Sequence, residues 1–300
     1  MPESFDDLER RLVEWAEGRE DVRTMVVVGS RARPEEADEW SDLDVGFTTT
    51  APERYEGTAW LSEIGEVWVA HVDPQGPTRH VLFAGGFDAG ITPLPHRLVR
   101  ALPAVLRLWE GPAGQVLPAP LRGPVDRRLE AYTYYGQGAR VVVDKDGVGA
   151  KLVAAVPSGD AAAGGPPTSE EFEAAVARFW FLAVWNAKHL RRGELWRAKV
   201  LGCDGEMKRL LVQMIAWHGG VMVSEDGRGL EERVDPAVLA GLAGVFAHYD
   251  EDDLWRASFT TMELFRHLAT ETATRLGLPY DTEADRRVTA WIEACEAGRR

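Results

Sequence analysis

"MVVVGSRARPEEADEWSDLDVGF", residues 25–47, is the stretch on which the reading of the fold turns. Its opening apolar run, Met25 to Val28, reads as a buried strand. A polar connection containing Pro34 follows, after which Leu43, Val45 and Phe47 alternate with Asp42, Asp44 and Gly46. Side chains alternate across a strand with a period of two, so this second strand buries its hydrophobes and carries both aspartates on the other face. Two carboxylates so placed repel, and solvent, basic neighbours, a shared proton or a divalent cation must offset the repulsion. Magnesium suits the pair: it takes hard oxygen ligands, often one or two carboxylates completed by substrate phosphates. Upstream, Gly29 permits close backbone approach at the strand's end, and Ser30 offers a hydroxyl and amides to phosphate oxygens. Each piece alone is equally the pattern of a solvated strand face or an ordinary turn.

Working outward, "FDDLERRLVEWAEG" places Phe5, Leu8, Leu12 and Trp15 at helical spacing with Gly18 just past its end, which predicts a helix before the first strand. Further strands are expected at "GEVWVAHVD", "RHVLFA" and "FDAGITPL", separated by turns rich in Gly and Pro. "ARVVVDKDGVGAKL" reads as a hairpin turning at "DKDG". Strands mixed with helices predict a sheet domain over residues 1–156. Residues 157–167, "PSGDAAAGGPP", offer almost nothing to bury and read as a linker or mobile loop. Thr168 then opens "TSEEF", a Thr-x-x-Glu capping box, ahead of a long helical pattern through Leu190. Later segments repeat that periodicity, so residues 168–300 are expected to form a helical bundle. The fold class is α+β, a mixed sheet followed by helices.

Whole-chain properties narrow the partners. A length of 300 residues suits two domains, and 48 acidic against 34 basic residues give a formal charge of -14. Such a surface repels a nucleic-acid backbone and attracts polycationic small molecules, although acidity also serves plain solubility. No apolar run approaches the ~20 residues of a membrane span, and the acidic amphipathic N-terminus is unlike a secretion signal, so a cytoplasmic location is expected. The two cysteines, Cys203 and Cys295, have no zinc-ligand or disulfide spacing. His189 and His218 lack a second histidine at metal-binding spacing, and the eleven tryptophans are expected mainly in the core.

"VVVGSR", a nine-residue connection and "SDLDVGF" in that order resemble the signature of the nucleotidyltransferase superfamily. The resemblance extends through "ARVVVDKDG", "FEAAVARFWFLAVWNAKHLRRGELWRAK", "EMKRLLVQMIAWHGG" and "LWRASFTTMELFRHLATETATRLGLPY", and narrows to the aminoglycoside 6-adenylyltransferases that adenylylate streptomycin. It implies an N-terminal nucleotidyltransferase sheet domain, an acceptor-binding helical domain, magnesium, ATP as donor and a hydroxyl of a streptomycin-like aminoglycoside as acceptor. Carried over by position, Gly29, Ser30 and Arg31 would seat the triphosphate, Asp42 and Asp44 would hold magnesium, and Lys188 would neutralise phosphate charge. Glu194 would pair with a cationic acceptor group or accept its proton; a charged helix surface is the plain alternative.

The chain departs from the pattern at "FAGGFDAGITPLP", where the third carboxylate expected on a neighbouring strand falls on Gly90. Asp88 shares that strand face two residues earlier, about 6 to 7 Å along, and a bulge at Gly85–Gly86 would bring it into place. The departure leaves two further readings open: a binding protein that retains a nucleotide or aminoglycoside site without turnover, and a nucleotidyltransferase acting on another small molecule, a protein or RNA.

Overall fold

The computed structural model describes residues 2–33, 37–74, 76–102, 138–155, 165–224 and 226–298. The chain divides into two compact units, Met1–Asp160 and Ala161–Arg300.

The first unit is built on a six-stranded mixed sheet. Its strands are β1 (Val22–Val28), β2 (Leu43–Thr49), β3 (Val67–Val72), β4 (Arg79–Phe83), β5 (Phe87–Pro95) and β6 (Ala139–Asp144), in the spatial order β3-β4-β5-β2-β1-β6. β2 and β5 run parallel, and every other neighbouring pair is antiparallel. The period-two pattern has the expected effect. Leu43, Val45, Phe47, Val81, Phe83, Ala89 and Ile91 share one buried layer with Leu8, Leu12 and Ala16 of the helix Phe5–Glu17. Ser4 caps that helix by accepting from the Asp7 N–H at 3.1 Å, which satisfies one of the orphan amides of the first turn. Trp15, Phe47, Tyr55 and Trp60 pack mutually in this layer, with Trp15 and Trp60 stacked at 5.3 Å. The opposite face carries a smaller apolar cluster, in which Val26 and Val28 meet Val99, Leu102, Val148 and Leu152.

The segment expected to be a hairpin at "DKDG" is instead a strand followed by a helix, Val148–Ala155. The reason lies in the turn's own side chains. Asp144 accepts from the amides of Gly149 at 3.2 Å and Ala150 at 3.1 Å, and Asp146 accepts from Val148 N–H at 3.4 Å. These bonds satisfy the first amides of a helix, and β6 finds its partner in β1 rather than in the chain that follows.

The second unit is helical, with a core centred on Phe172, Phe179, Met207, Leu211, Trp255 and Phe265. The helix Ser169–Arg191 starts at the expected capping box, in which Thr168 and Glu171 bond reciprocally. Helices Met207–Gly219, Glu251–Leu276 and Thr282–Ala297 follow the expected segments, while Pro236–Leu242 is shorter than its periodicity suggested. A stretch of π-helix, Ala198–Glu206, precedes Met207. Residues 157–164 of the expected linker lie outside the described residues. Three of the tryptophans, Trp60, Trp180 and Trp255, are buried, whereas Trp40, Trp68, Trp196 and Trp291 are exposed. Abundance alone therefore misjudged the placement of those four. Among the described residues, no helix is long and apolar enough to cross a membrane.

Candidate active site

β1 ends at Val28, and Gly29 then takes φ 75° and ψ -154°, a conformation essentially confined to glycine. That single residue turns the chain into the short 3-10 turn Ser30–Ala32. Because Val28 pairs with Asp44 in the antiparallel β1–β2 ladder, the Gly29–Ser30 turn lies abreast of the first residues of β2. Asp42 is the last residue before β2 and is exposed; Asp44, the second residue of the strand, is half-buried.

β5 completes this end of the sheet. It pairs with β2 in parallel, Leu43 against Ala89 and Asp44 against Gly90, so Asp88 stands one step earlier at the Asp42 level. Gly85 and Gly86, at φ 99° and 85°, make the turn between β4 and β5 instead of a bulge, and the β4–β5 register runs without a shift. Gly90 therefore stays in the row of Asp44, and Asp88 stays exposed beyond it. A Cβ on Gly90 would lie 2.3 Å from Asp44 Oδ1, so the carboxylate of Asp44 leans across β5 over the glycine. The same row continues through His80 on β4 to His71 on β3, whose rings stack at 5.1 Å with an interplanar angle of 23°. Both imidazoles are exposed. The adjoining row on this face is closed by Thr78 and Thr92, whose hydroxyls are 2.9 Å apart.

Arg31 has an unexpected task. Its Nε donates to the Ser41 carbonyl at 2.7 Å and one Nη to the Asp38 carbonyl at 3.1 Å, while its guanidinium lies 3.9 Å from the centroid of Phe5. The turn it grips is closed internally, Asp38 Oδ1 accepting from the Ser41 hydroxyl at 2.7 Å and from the Trp40 amide at 3.0 Å. Those donors, the Ser41 hydroxyl foremost, hold the Asp38 carboxyl below the usual carboxylate range. The polar connection between β1 and β2 is thereby tied back onto the turn that ends β1, immediately ahead of Asp42.

The remaining candidates belong to the second unit. Lys188 is exposed on the last turn of Ser169–Arg191, its Nζ 5.8 Å from the Trp291 ring centroid. Glu194, in the turn after that helix, is hydrogen-bonded to Nδ1 of the buried His189, and this bond above all lowers its pKa. Trp185 packs on His189 at 4.0 Å, and the Arg197 guanidinium lies 5.6 Å from the Trp185 ring. His189 thus fixes Glu194. His71 and His80 carried no sequence signal, because the hairpin register that aligns them with Gly90 is a property of the folded sheet.

Among the described residues, no group of three His, Cys, Asp or Glu side chains could hold a metal ion by itself. The donor set at this sheet end still suits magnesium, which takes one or two carboxylates and completes its shell with phosphate and water oxygens.

The sheet, the glycine turn and the paired aspartates are the parts of a nucleotidyltransferase fold, and the comparisons agree. The chain matches the family model described as streptomycin adenylyltransferase over residues 3–83 and 126–295, and it belongs to that family. The match omits residues 84–125 and with them the whole of β5, including Asp88 and Gly90. Among solved structures, an aminoglycoside 6-adenyltransferase from Bacillus subtilis shares 17% identity over 97% of this chain and 98% of its own, with a TM-score of 0.42. A nucleotidyltransferase-like protein from Exiguobacterium sibiricum 255-15 shares 10% identity over 91% of this chain and 78% of its own, with a TM-score of 0.32. No curated protein matches the chain.

Proposed function

We propose that this protein transfers AMP from ATP to a hydroxyl of a streptomycin-like aminoglycoside in a magnesium-dependent reaction, releasing pyrophosphate and giving resistance to the antibiotic. The observation that carries the proposal is the convergence of the Gly29–Ser30 turn, Asp42, Asp44 and Asp88 on one end of one sheet. Gly29 and Ser30 seat the triphosphate with backbone amides and a hydroxyl. Asp42 and Asp44 hold the magnesium, and Asp88 stands level with Asp42 on the neighbouring strand. The cation, when bound, neutralises charge on the phosphates and their leaving group. Arg31 contributes by holding the loop that positions Asp42, with two of its donors already spent on that loop's carbonyls. In the helical unit, Lys188 offsets phosphate charge and Glu194, oriented by His189, receives a cationic group of the acceptor. The acidity of the chain favours such an acceptor over a nucleic acid.

The test is to incubate the protein with magnesium, ATP and streptomycin beside a panel of other aminoglycosides, following pyrophosphate and the acceptor's mass. A product heavier by one adenylyl group, absent with Asp44→Asn, is the expected result. Full metal-dependent transfer by Asp44→Asn would sink the proposal. Nucleotide or aminoglycoside binding with no product from any acceptor would favour a binding protein, the reading that the side-chain-free position at Gly90 supports.

A further inference from the structure

Transfer of an adenylyl group to a hydroxyl requires a proton acceptor, and the carboxylates assigned to the cation are poorly suited to that second task. The structure points to another group. His80 stands on β4 directly opposite Gly90, which in turn stands opposite Asp44. Strands lie about 4.8 Å apart, so the Asp44 and His80 backbones are separated by roughly 10 Å with a side-chain-free floor between them. Asp44 already leans into that gap. On the other side of it stands His80, whose exposed imidazole stacks on the ring of His71. Gly90 lies on β5, within residues 84–125 that the family model does not match, whereas Asp44, His71 and His80 lie within the matched residues 3–83.

We propose, resting on the adenylyltransferase reading above, that His80 is the catalytic base for the acceptor hydroxyl. The hydroxyl oxygen bonds to the α-phosphorus of ATP as the bond from that phosphorus to the α,β-bridging oxygen breaks. Pyrophosphate leaves with the bonding pair, and the hydroxyl proton passes to a ring nitrogen of His80 and then to water. The imidazole of His80 is exposed, and a ring nitrogen can accept a proton from a hydroxyl placed over the gap. Among the described residues, the charged or titratable groups in the strand rows next to it are His71 on β3, Asp73 beyond β3 opposite Thr78, Asp88 on β5 one diagonal step away, and Asp44 on β2, with His96 further along that face against Thr48. Asp88 is abreast of Leu82 rather than of the gap, which places it with the cation-binding end.

Steady-state transfer by the full-length protein across pH 5–9 tests this, beside His80→Gln, His80→Ala and His71→Gln, with magnesium-ATP affinity measured separately. His80→Gln should lower kcat by about 10²- to 10⁴-fold. It should leave ATP affinity within a factor of two or so and remove the acid limb of the rate profile. Added imidazole should restore part of the His80→Ala rate, a rescue that a purely structural role would not show. Wild-type kcat with an unchanged acid limb in His80→Gln overturns the assignment while leaving the adenylyltransferase reading intact. If the wild-type protein adenylylates no acceptor, the underlying reading fails, and this one with it. Loss of ATP binding in His80→Gln would show a role in the nucleotide site and would also overturn the assignment.

Discussion

Gly90→Ala separates stability from function in a way that the geometry makes quantitative. Gly90 does not have a positive φ, so alanine fits its backbone, and the smaller conformational freedom of the unfolded chain should stabilise the variant by about 0.4 to 1 kcal/mol. The new Cβ would meet Asp44 Oδ1 at 2.3 Å, with Asp44 Cγ at 3.6 Å and Thr78 Cγ2 at 3.8 Å in ordinary contact. Only the carboxylate oxygen must move, by about 1 Å to reach 3.4 Å, and a side chain turned off its rotamer costs about 0.5 to 1.5 kcal/mol. The two effects nearly cancel, so net stability should stay within about 1 kcal/mol of wild type, a few degrees in melting temperature. Function should not be spared. A displacement of about 1 Å in a catalytic group can cost about 100-fold, and the displaced group here is a proposed cation ligand. The assay pairs urea unfolding with magnesium-ATP affinity and with kcat/KM for the best acceptor. A loss of more than about 2 kcal/mol would show that Gly90 is a packing position. Undiminished affinity and transfer would show that the lean of Asp44 over β5 has no functional consequence.

Other substitutions probe the scaffold. Asp285, whose side chain is 7% exposed, accepts from Arg266 at 2.7 and 2.8 Å, from the Tyr280 hydroxyl at 2.9 Å and from Thr289 at 3.1 Å. Asp285→Ala should cost about 3 to 5 kcal/mol in urea unfolding, and replacing Arg266 and Asp285 together by apolar residues should cost less. Gly29→Ala should cost about 1 to 3 kcal/mol, because φ 75° and ψ -154° exclude an L side chain, and should weaken nucleotide binding. Asp21 titrates below its ordinary value: burial opposes its ionisation, but the Tyr55 and Thr49 hydroxyls and Arg54 outweigh that burial. Its contribution is therefore fully present above the unfolded carboxylate pKa of about 3.9 and lost as pH falls through the folded value. The stability gap between wild type and Asp21→Asn, measured by denaturation at pH 7 and again near pH 3, should narrow at the lower pH.

Much of this molecule was legible in its sequence because the relevant signals are local. The alternation at Leu43, Val45 and Phe47 settled β2 and put Asp42 and Asp44 on the face opposite those buried side chains, since a strand's period of two leaves them no other face. Thr168 and Glu171 announced their helix because a capping box is closed within four residues. The order of Gly29, Ser30 and the two aspartates pointed to the superfamily, and the helical segments that follow narrowed it to the family that the comparison finds.

Tertiary structure decided whatever depends on how one strand aligns with another. "DKDG" carries the same residues whether it turns a hairpin or caps a helix, and the pairing of β6 with β1 made it the latter. Arg31, expected at the triphosphate, also donates to the carbonyls of Ser41 and Asp38, contacts that no local pattern announced. The placing of Asp88 beside Asp42, of Gly90 beneath the Asp44 carboxylate and of His80 across the gap follows from two strand registers, β2 on β5 and β4 on β5. Register is set by packing and turn geometry over the whole sheet, and a one-residue slip would turn each of those side chains to the opposite face. Sequence therefore determined the elements and their chemistry, while the sheet alone determined which groups meet.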